Sequence, residues 1–257
     1  MLQQNDSFVN VLGVGISVVD ISSATTKCEE LIASRGKGYV CVTGVHGVME
    51  AQSNLQFRSI LNRSLLTVPD GVPMVWVGRI QGHREISRVY GPDFMIELCR
   101  RSVARGFRHF LYGGKEGVAE ELAERLRQRI PGLQIVGTYT PPFRPLNAAE
   151  ERDLRIQVAA CKPDIFWVGL STPKQEQFMA RYSERLDTKL MVGVGAAFDV
   201  QTGRIKDAPA WIKSAGLQWL HRLFQEPRRL WKRYLINNPK FIVQIALQLA
   251  GITRYSL

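Results

Sequence analysis

Cysteine is scarce in this chain. Its 257 residues hold four, Cys28, Cys41, Cys99 and Cys161, and no two form a CxxC pair. That spacing excludes a disulfide framework and a zinc finger or ribbon, and fits a reducing cytoplasm. Long apolar runs are also missing. The apolar-rich uncharged stretches 7–19 and 241–253 fall short of the roughly 20 residues a membrane-spanning helix needs. The opening MLQQNDSFVN lacks a basic segment followed by an apolar run, so no signal peptide is expected. HExxH, GxSxG and DxD motifs are absent, and the four histidines (His46, His83, His109, His221) are scattered. A hydrolase triad or a zinc enzyme is therefore not expected. Gly13-Val14-Gly15 lacks the third glycine of a dinucleotide fingerprint, which argues against a dehydrogenase. Acidic residues are rare toward the end of the chain. Residues 204–257 hold ten Lys or Arg against Asp207 and Glu226, which is +8 of the net +11. A nucleic-acid-binding protein would spread its basic residues along a groove or a recognised module. Here the charge is confined to one segment, so no nucleic-acid partner is expected.

What is present is a regular alternation. Continuous apolar runs at 9–14, 39–43, 65–68, 109–112, 134–137, 165–169 and 190–195 read as strands covered on both faces. Helical periods fall between them near 23–34, 46–61, 92–105, 116–130, 148–160 and 174–186. Asn147 with Glu150 three residues on forms a capping-box pattern. This order predicts an α/β fold with a mostly parallel, Rossmann-like sheet and flanking helices. Past Gly203 the strands stop and Trp211, Trp219 and Trp231 appear. The expected division is a catalytic domain over 1–205 and a basic helical appendage over 206–257.

In such sheets ligands bind beyond the carboxyl ends of the strands. Thr43 and His46 follow one strand, and read either as site residues or as a capped turn. Asp70 follows the next; it reads either as a general base or as the N-cap of a helix near 72–79. Arg88 is able to hold a diphosphate through paired hydrogen bonds, with Asp93 nearby, or the two form a surface ion pair. Gly113 and Gly114 lead from a strand into a helix, an arrangement that suits a phosphate or a plain tight turn. Gln175 lies in the first turn of a helix opened by Pro173, and Asp199 follows the last strand.

Arg222, Arg229 and Arg233 are 7 and 4 residues apart, so on one helix they share a stripe, with Leu223, Leu230, Trp231, Tyr234 and Leu235 facing away. Pro227 interrupts that helix or opens a second one. A basic, amphipathic, Trp-bearing segment of this kind suits an anionic membrane surface.

Six stretches, in order, resemble the WecG/TagA/CpsF family of bacterial glycosyltransferases (glycosyltransferase family 26). They are VPDGVPMVW (68–76), RVYGPDFM (88–95), YGGKEGVAEEL (112–122), GLSTPKQEQFM (169–179), VGVGAAFDVQTG (192–203) and APAWIKSAGLQWLHRLFQEPRRLWKRYL (208–235). The resemblance implies transfer of a hexose or N-acetylhexosamine, N-acetylmannosamine-type or glucose, from a UDP-sugar to an undecaprenyl-diphosphate-linked acceptor. It implies inversion at the anomeric carbon and no metal cofactor. It also implies a role in building teichoic acid linkage units, enterobacterial common antigen, capsules or exopolysaccharides, at the inner face of the cytoplasmic membrane. On the matching positions, Asp70 is the base; Thr43, Arg88 and Gln175 are substrate residues; and Asp199 lies near the nucleotide. Many members read Thr-x-Asn where this chain has Val45 followed by His46, which makes His46 a candidate replacement. Gln218 stands where the family often has Glu. The alternative is a non-catalytic nucleotide-binding protein or membrane adaptor, which has no need for polar groups at five strand ends. An exposed apolar face is expected to permit a homo-oligomer.

Overall fold

The computed structural model describes residues 7–257. The chain opens with β1 (Phe8–Val11) and β2 (Val14–Ser17), then α1 (Ile21–Ala33), β3 (Gly38–Thr43), α2 (Val45–Ser53), α3 (Leu55–Asn62), β4 (Leu66–Pro69), α4 (Val72–Ile80) and α5 (Gly91–Arg105). It continues with β5 (Arg108–Gly113), α6 (Val118–Arg129), β6 (Gln134–Tyr139), α7 (Ala148–Cys161), β7 (Ile165–Gly169), α8 (Lys174–Tyr182), β8 (Leu190–Gly193) and α9 (Ala197–Gln201). Three helices close it: α10 (Ala210–Ser214), α11 (Gln218–Gln225) and α12 (Pro227–Leu249).

Six strands form one parallel sheet in the order β4-β3-β8-β7-β5-β6. Alternate residues feed two separate cores. Val40 and Val42 of β3, with Leu111, Trp167 and Val192, pack under α1, α5 and α6. Tyr39 and Cys41, with Phe110, Phe166 and Met191, pack under α2, α3, α4, α7, α8 and the far half of α12. Both faces are therefore covered, which is why the strands read as continuous apolar runs. The four cysteines are free thiols.

Three expectations are corrected. The strand expected at 9–14 is two strands, because Leu12 (φ 53°) and Gly13 (φ 81°) form a two-residue turn that pairs Val11 with Val14 outside the main sheet. The helix expected over 46–61 breaks at Asn54, whose extended backbone and side chain cap α3 through the Phe57 N–H. The single stripe that one helix would give Arg222, Arg229 and Arg233 is not formed, and the other reading of Pro227, that it opens a second helix, holds. Pro227 cannot continue α11 and instead opens α12, with Glu226 at φ −133°, ψ 57° between them.

The end of the chain is tied to its start. Phe241 and Ile245 of α12 are buried in the second core. Gln248 accepts from the Leu12 N–H (2.8 Å) and donates to the Asn10 carbonyl (2.7 Å). Asn10 in turn donates to the Tyr255 carbonyl at 2.6 Å.

His109 on β5 is fully buried and stacks beside Trp167, whose indole N–H donates to its Nδ1 at 2.9 Å. Its Nε2 has no partner in the protein. Burial pushes the imidazole pKa down to about 4. A histidine with a depressed folded pKa takes up its proton in the unfolded chain first, so stability falls as pH drops from about 6.5 toward 4. That loss amounts to about 3 kcal/mol by pH 4. His109→Gln keeps an acceptor for Trp167 and does not titrate. Urea unfolding of the variant is expected to lose about 3 kcal/mol less than wild type over this window.

Candidate active site

The site forms where the chain leaves β3 and β4 at the carboxyl edge of the sheet. The Asp70 N–H donates to the Thr43 carbonyl (2.9 Å), which ties the two strand ends together. Gly44 makes this approach possible, since a Cβ there would lie 2.4 Å from the Asp70 carbonyl oxygen. Gly71 follows at φ +112°, ψ 147°, a conformation essentially restricted to glycine. It is Gly71, not Asp70, that occupies the N-cap position of α4, and no side chain caps the helix. The N-cap alternative for Asp70 is thus corrected, and its carboxylate is free to face the cleft.

Asp70, Thr43, His46, Arg88, Arg222 and Arg233 all line one cavity of about 660 Å³. The loop before α5 is pinned to β4 by the Val89 N–H donating to the Pro69 carbonyl (2.9 Å). This sets Arg88 Nη2 3.9 Å from Asp70 Oδ1. The Arg88 guanidinium also lies 4.6 Å over the Tyr90 ring and donates to Gln218 on α11. The Tyr90 hydroxyl donates to Asp207 at 3.0 Å. Gln218 both accepts from Arg88 and approaches Asp207 with its amide nitrogen at 3.5 Å. A glutamate at 218 would accept from Arg88 but could not donate to Asp207.

Arg222 comes from α11 and Arg233 from α12, so the appendage forms one wall of the cavity. Around it the Thr43 hydroxyl and the Nε atoms of Arg88, Arg222 and Arg233 are buried without a hydrogen-bond partner in the protein. Buried polar groups are normally paired, so this concentration of unpartnered donors is unusual. Burial pulls Arg233 below the usual guanidinium range, and repulsion from Arg222 and Arg229 adds to it. Asp70 keeps about 35% of its side-chain surface open to the cavity, and protein surrounds the rest. That burial raises its pKa above the ordinary 3.8, while Arg88, Arg222 and Arg233 pull it back and Asp93 adds repulsion. The result is a carboxylate that is more basic than usual and ringed by cations.

His46 stands in the first turn of α2, within 3.3 Å of the Asn237 side chain of α12 and 3.8 Å from Glu50. Burial, then the charge of Arg233, pushes its pKa down to about 4, so it is neutral at pH 7. The Asn237 amide nitrogen lies opposite its Nδ1. His46 therefore joins α2 to the appendage across the cavity.

The other sequence candidates lie outside this lining. Gln175 is buried and engaged: its amide donates to Glu176 (2.9 Å), and its oxygen accepts from the Gly195 N–H (2.9 Å). Asp93 is exposed on the first turn of α5. Gly113 and Gly114 pack the β5–α6 turn on β7, where a Cβ at Gly113 would sit 2.6 Å from the Gly169 carbonyl oxygen. Asp199 is in the first turn of α9. Arg229 is exposed and pairs with Glu226 at 2.9 Å. Sequence reasoning passed over Tyr90, Asp207 and Asn237. The adjacency of Tyr90 to Arg88 was the one signal available for these three.

The profile of the Glycosyl transferase WecG/TagA/CpsF family matches residues 9–255. The chain belongs to this family. Two relatives share one name, N-acetylglucosaminyldiphosphoundecaprenol N-acetyl-beta-D-mannosaminyltransferase. The one from Bacillus spizizenii is 29% identical over 227 residues, covering 88% of this chain and 86% of the relative. The one from Bacillus subtilis is 32% identical over 190 residues, covering 74% and 71%. In this WecG/TagA/CpsF member, Val45 and Asn238 line the cavity, and Asn237 of α12 meets His46. Among the described residues, no group of three or more His, Cys, Asp or Glu is arranged to hold a metal ion. Nor is any helix there long and apolar enough to cross a membrane.

Proposed function

We propose that this protein is an inverting transferase that moves a sugar from a UDP-sugar onto a sugar already linked to a polyprenyl diphosphate. The observation that carries this reading is the uncapped Asp70 carboxylate beside three arginines with unpartnered Nε atoms in one cavity. Asp70 takes the proton of an acceptor hydroxyl, and the oxygen attacks the anomeric carbon from the face opposite the diphosphate. The bond from that carbon to the β-phosphate oxygen breaks, and its electron pair leaves with UDP. Arg88, Arg222 and Arg233 receive the developing charge, the task a metal ion performs in other transferases. The reaction in this reading needs no metal.

The names of the two Bacillus relatives support an N-acetylglucosamine diphosphate polyprenol as acceptor and an N-acetylmannosamine-type sugar as donor. Exposed Trp211, Phe224 and Trp231 in the basic appendage support a peripheral position on the inner face of the membrane. UDP release from UDP-N-acetylmannosamine, its uronic acid, UDP-glucose and UDP-N-acetylglucosamine tests the reading. Release with one donor that depends on the lipid-linked acceptor is expected. Absence of acceptor-dependent release with every donor would remove the proposal.

A further inference from the structure

The cavity has two ends of different chemistry. Asp70, Arg88, Arg222 of α11 and Arg233 of α12 supply its charged lining. The arm lined by α4 and by α12 beyond Tyr234 has no charged residue, and Asn238 is its amide side chain. Its walls come from two helical stripes. Trp76 and Ile80 are four residues apart on α4. Leu235, Ile242 and Leu249 recur every seven on α12. Both spacings put their side chains on one helix face. Val77 and Ile245, buried in the core, also line this arm. Its lips are open to solvent: Trp76 is 57% exposed, Ile80 67% and Ile242 63%. Exposed aromatic and branched side chains gathered along a groove usually mark an interaction site.

We propose that this arm holds the proximal isoprenoid units of the acceptor's lipid chain. The inference rests on the lipid-linked acceptor proposed above. Continuity decides the occupant. The arm opens off the same cavity in which the acceptor sugar must meet Asp70, and the acceptor's lipid is the substrate part with an apolar body to lay along it. A nucleotide, a sugar or a peptide would bury unpaired polar groups there; an isoprenoid chain brings none. The exposed lips then lie where the chain continues toward the bilayer. Part of the lipid contact would come from α4 of the sheet domain, not from the basic appendage alone.

The test compares kcat/KM for two acceptors that differ only in the lipid: the same sugar diphosphate on an undecaprenyl or on a short geranyl chain. Wild type is expected to prefer the undecaprenyl acceptor. Trp76→Gln and Ile242→Gln, at exposed positions, are expected to cut that preference roughly tenfold. A preference that survives both substitutions, or an equal loss on both acceptors, would overturn the proposal. So would a change in sedimentation with the preference intact, since a second copy of the chain would then be the occupant. Binding of undecaprenyl diphosphate and geranyl diphosphate, without sugar transfer, separates this inference from the functional reading. If neither acceptor is a substrate but undecaprenyl diphosphate binds in a Trp76- and Ile242-dependent way, the groove stands and the transferase reading fails. If both acceptors are substrates with no such dependence, the transferase reading stands and the groove fails.

Discussion

Asp70→Asn is expected to slow sugar transfer roughly a hundred- to ten-thousand-fold, the range for loss of a positioned general base. The substitution keeps the shape and removes the proton acceptor, so donor binding should change far less than turnover. A second consequence separates a catalytic role from a structural one. Burial raises the Asp70 pKa in the folded protein above its ordinary value. A carboxyl group raised on folding supports the fold below pH 3.8 and loses that support as pH climbs through the folded pKa. At neutral pH the ionised Asp70 therefore costs stability. Asp70→Asn should melt at a higher temperature than wild type at pH 7 while being nearly inactive, as measured by thermal denaturation beside a UDP-release assay. A variant that is inactive because it unfolds would melt lower.

Arg233→Ala is the second large effect. Arg233 reaches the cavity from α12 with a buried, unpartnered Nε, and burial with repulsion from Arg222 and Arg229 already disfavours its charge. In the proposed reaction this cation pairs with the departing diphosphate. Removing it should lower kcat roughly a hundred- to thousand-fold, as for loss of one preorganised donor to a developing negative charge. Arg233 is also one of the cations that hold the Asp70 pKa down. Its loss should therefore shift the ascending limb of the pH–kcat/KM profile toward higher pH. An Arg233→Ala enzyme with wild-type turnover and an unmoved limb would place the leaving-group charge elsewhere. Arg229, exposed and paired with Glu226, should tolerate the same change with little effect.

Much of this site could be read in the sequence because it depends on local chemistry. Thr43 and Asp70 follow apolar runs, and a parallel sheet delivers such residues to one edge. The six-strand sheet was legible for the same reason: residues such as Val40 and Cys41 pack into opposite cores, so their strands carry no polar alternation. The breaks were harder. Leu12-Gly13 turns the chain without an Asn-Gly signature, and Asn54 caps a helix inside what reads as one continuous period. Gln175 begins a helix at the mouth of the sheet, and its amide bonds both Glu176 and the Gly195 N–H, contacts that position alone did not reveal. Contacts across long sequence separations were not legible at all. The Arg88–Gln218–Asp207–Tyr90 network and the His46–Asn237 contact join the sheet domain to helices more than a hundred residues later, and no local pattern encodes that closure.

A single displacement by Asp70, with arginines on the departing diphosphate, inverts the anomeric carbon, and the configuration of the product reports it. The product of a UDP-sugar with an α-linked donor and a polyprenyl-diphosphate-linked acceptor would be read by NMR. A β-linked product, formed by wild type and lost in Asp70→Asn, is the predicted result. An α-linked product would require two displacements or a front-face path, and would contradict the account.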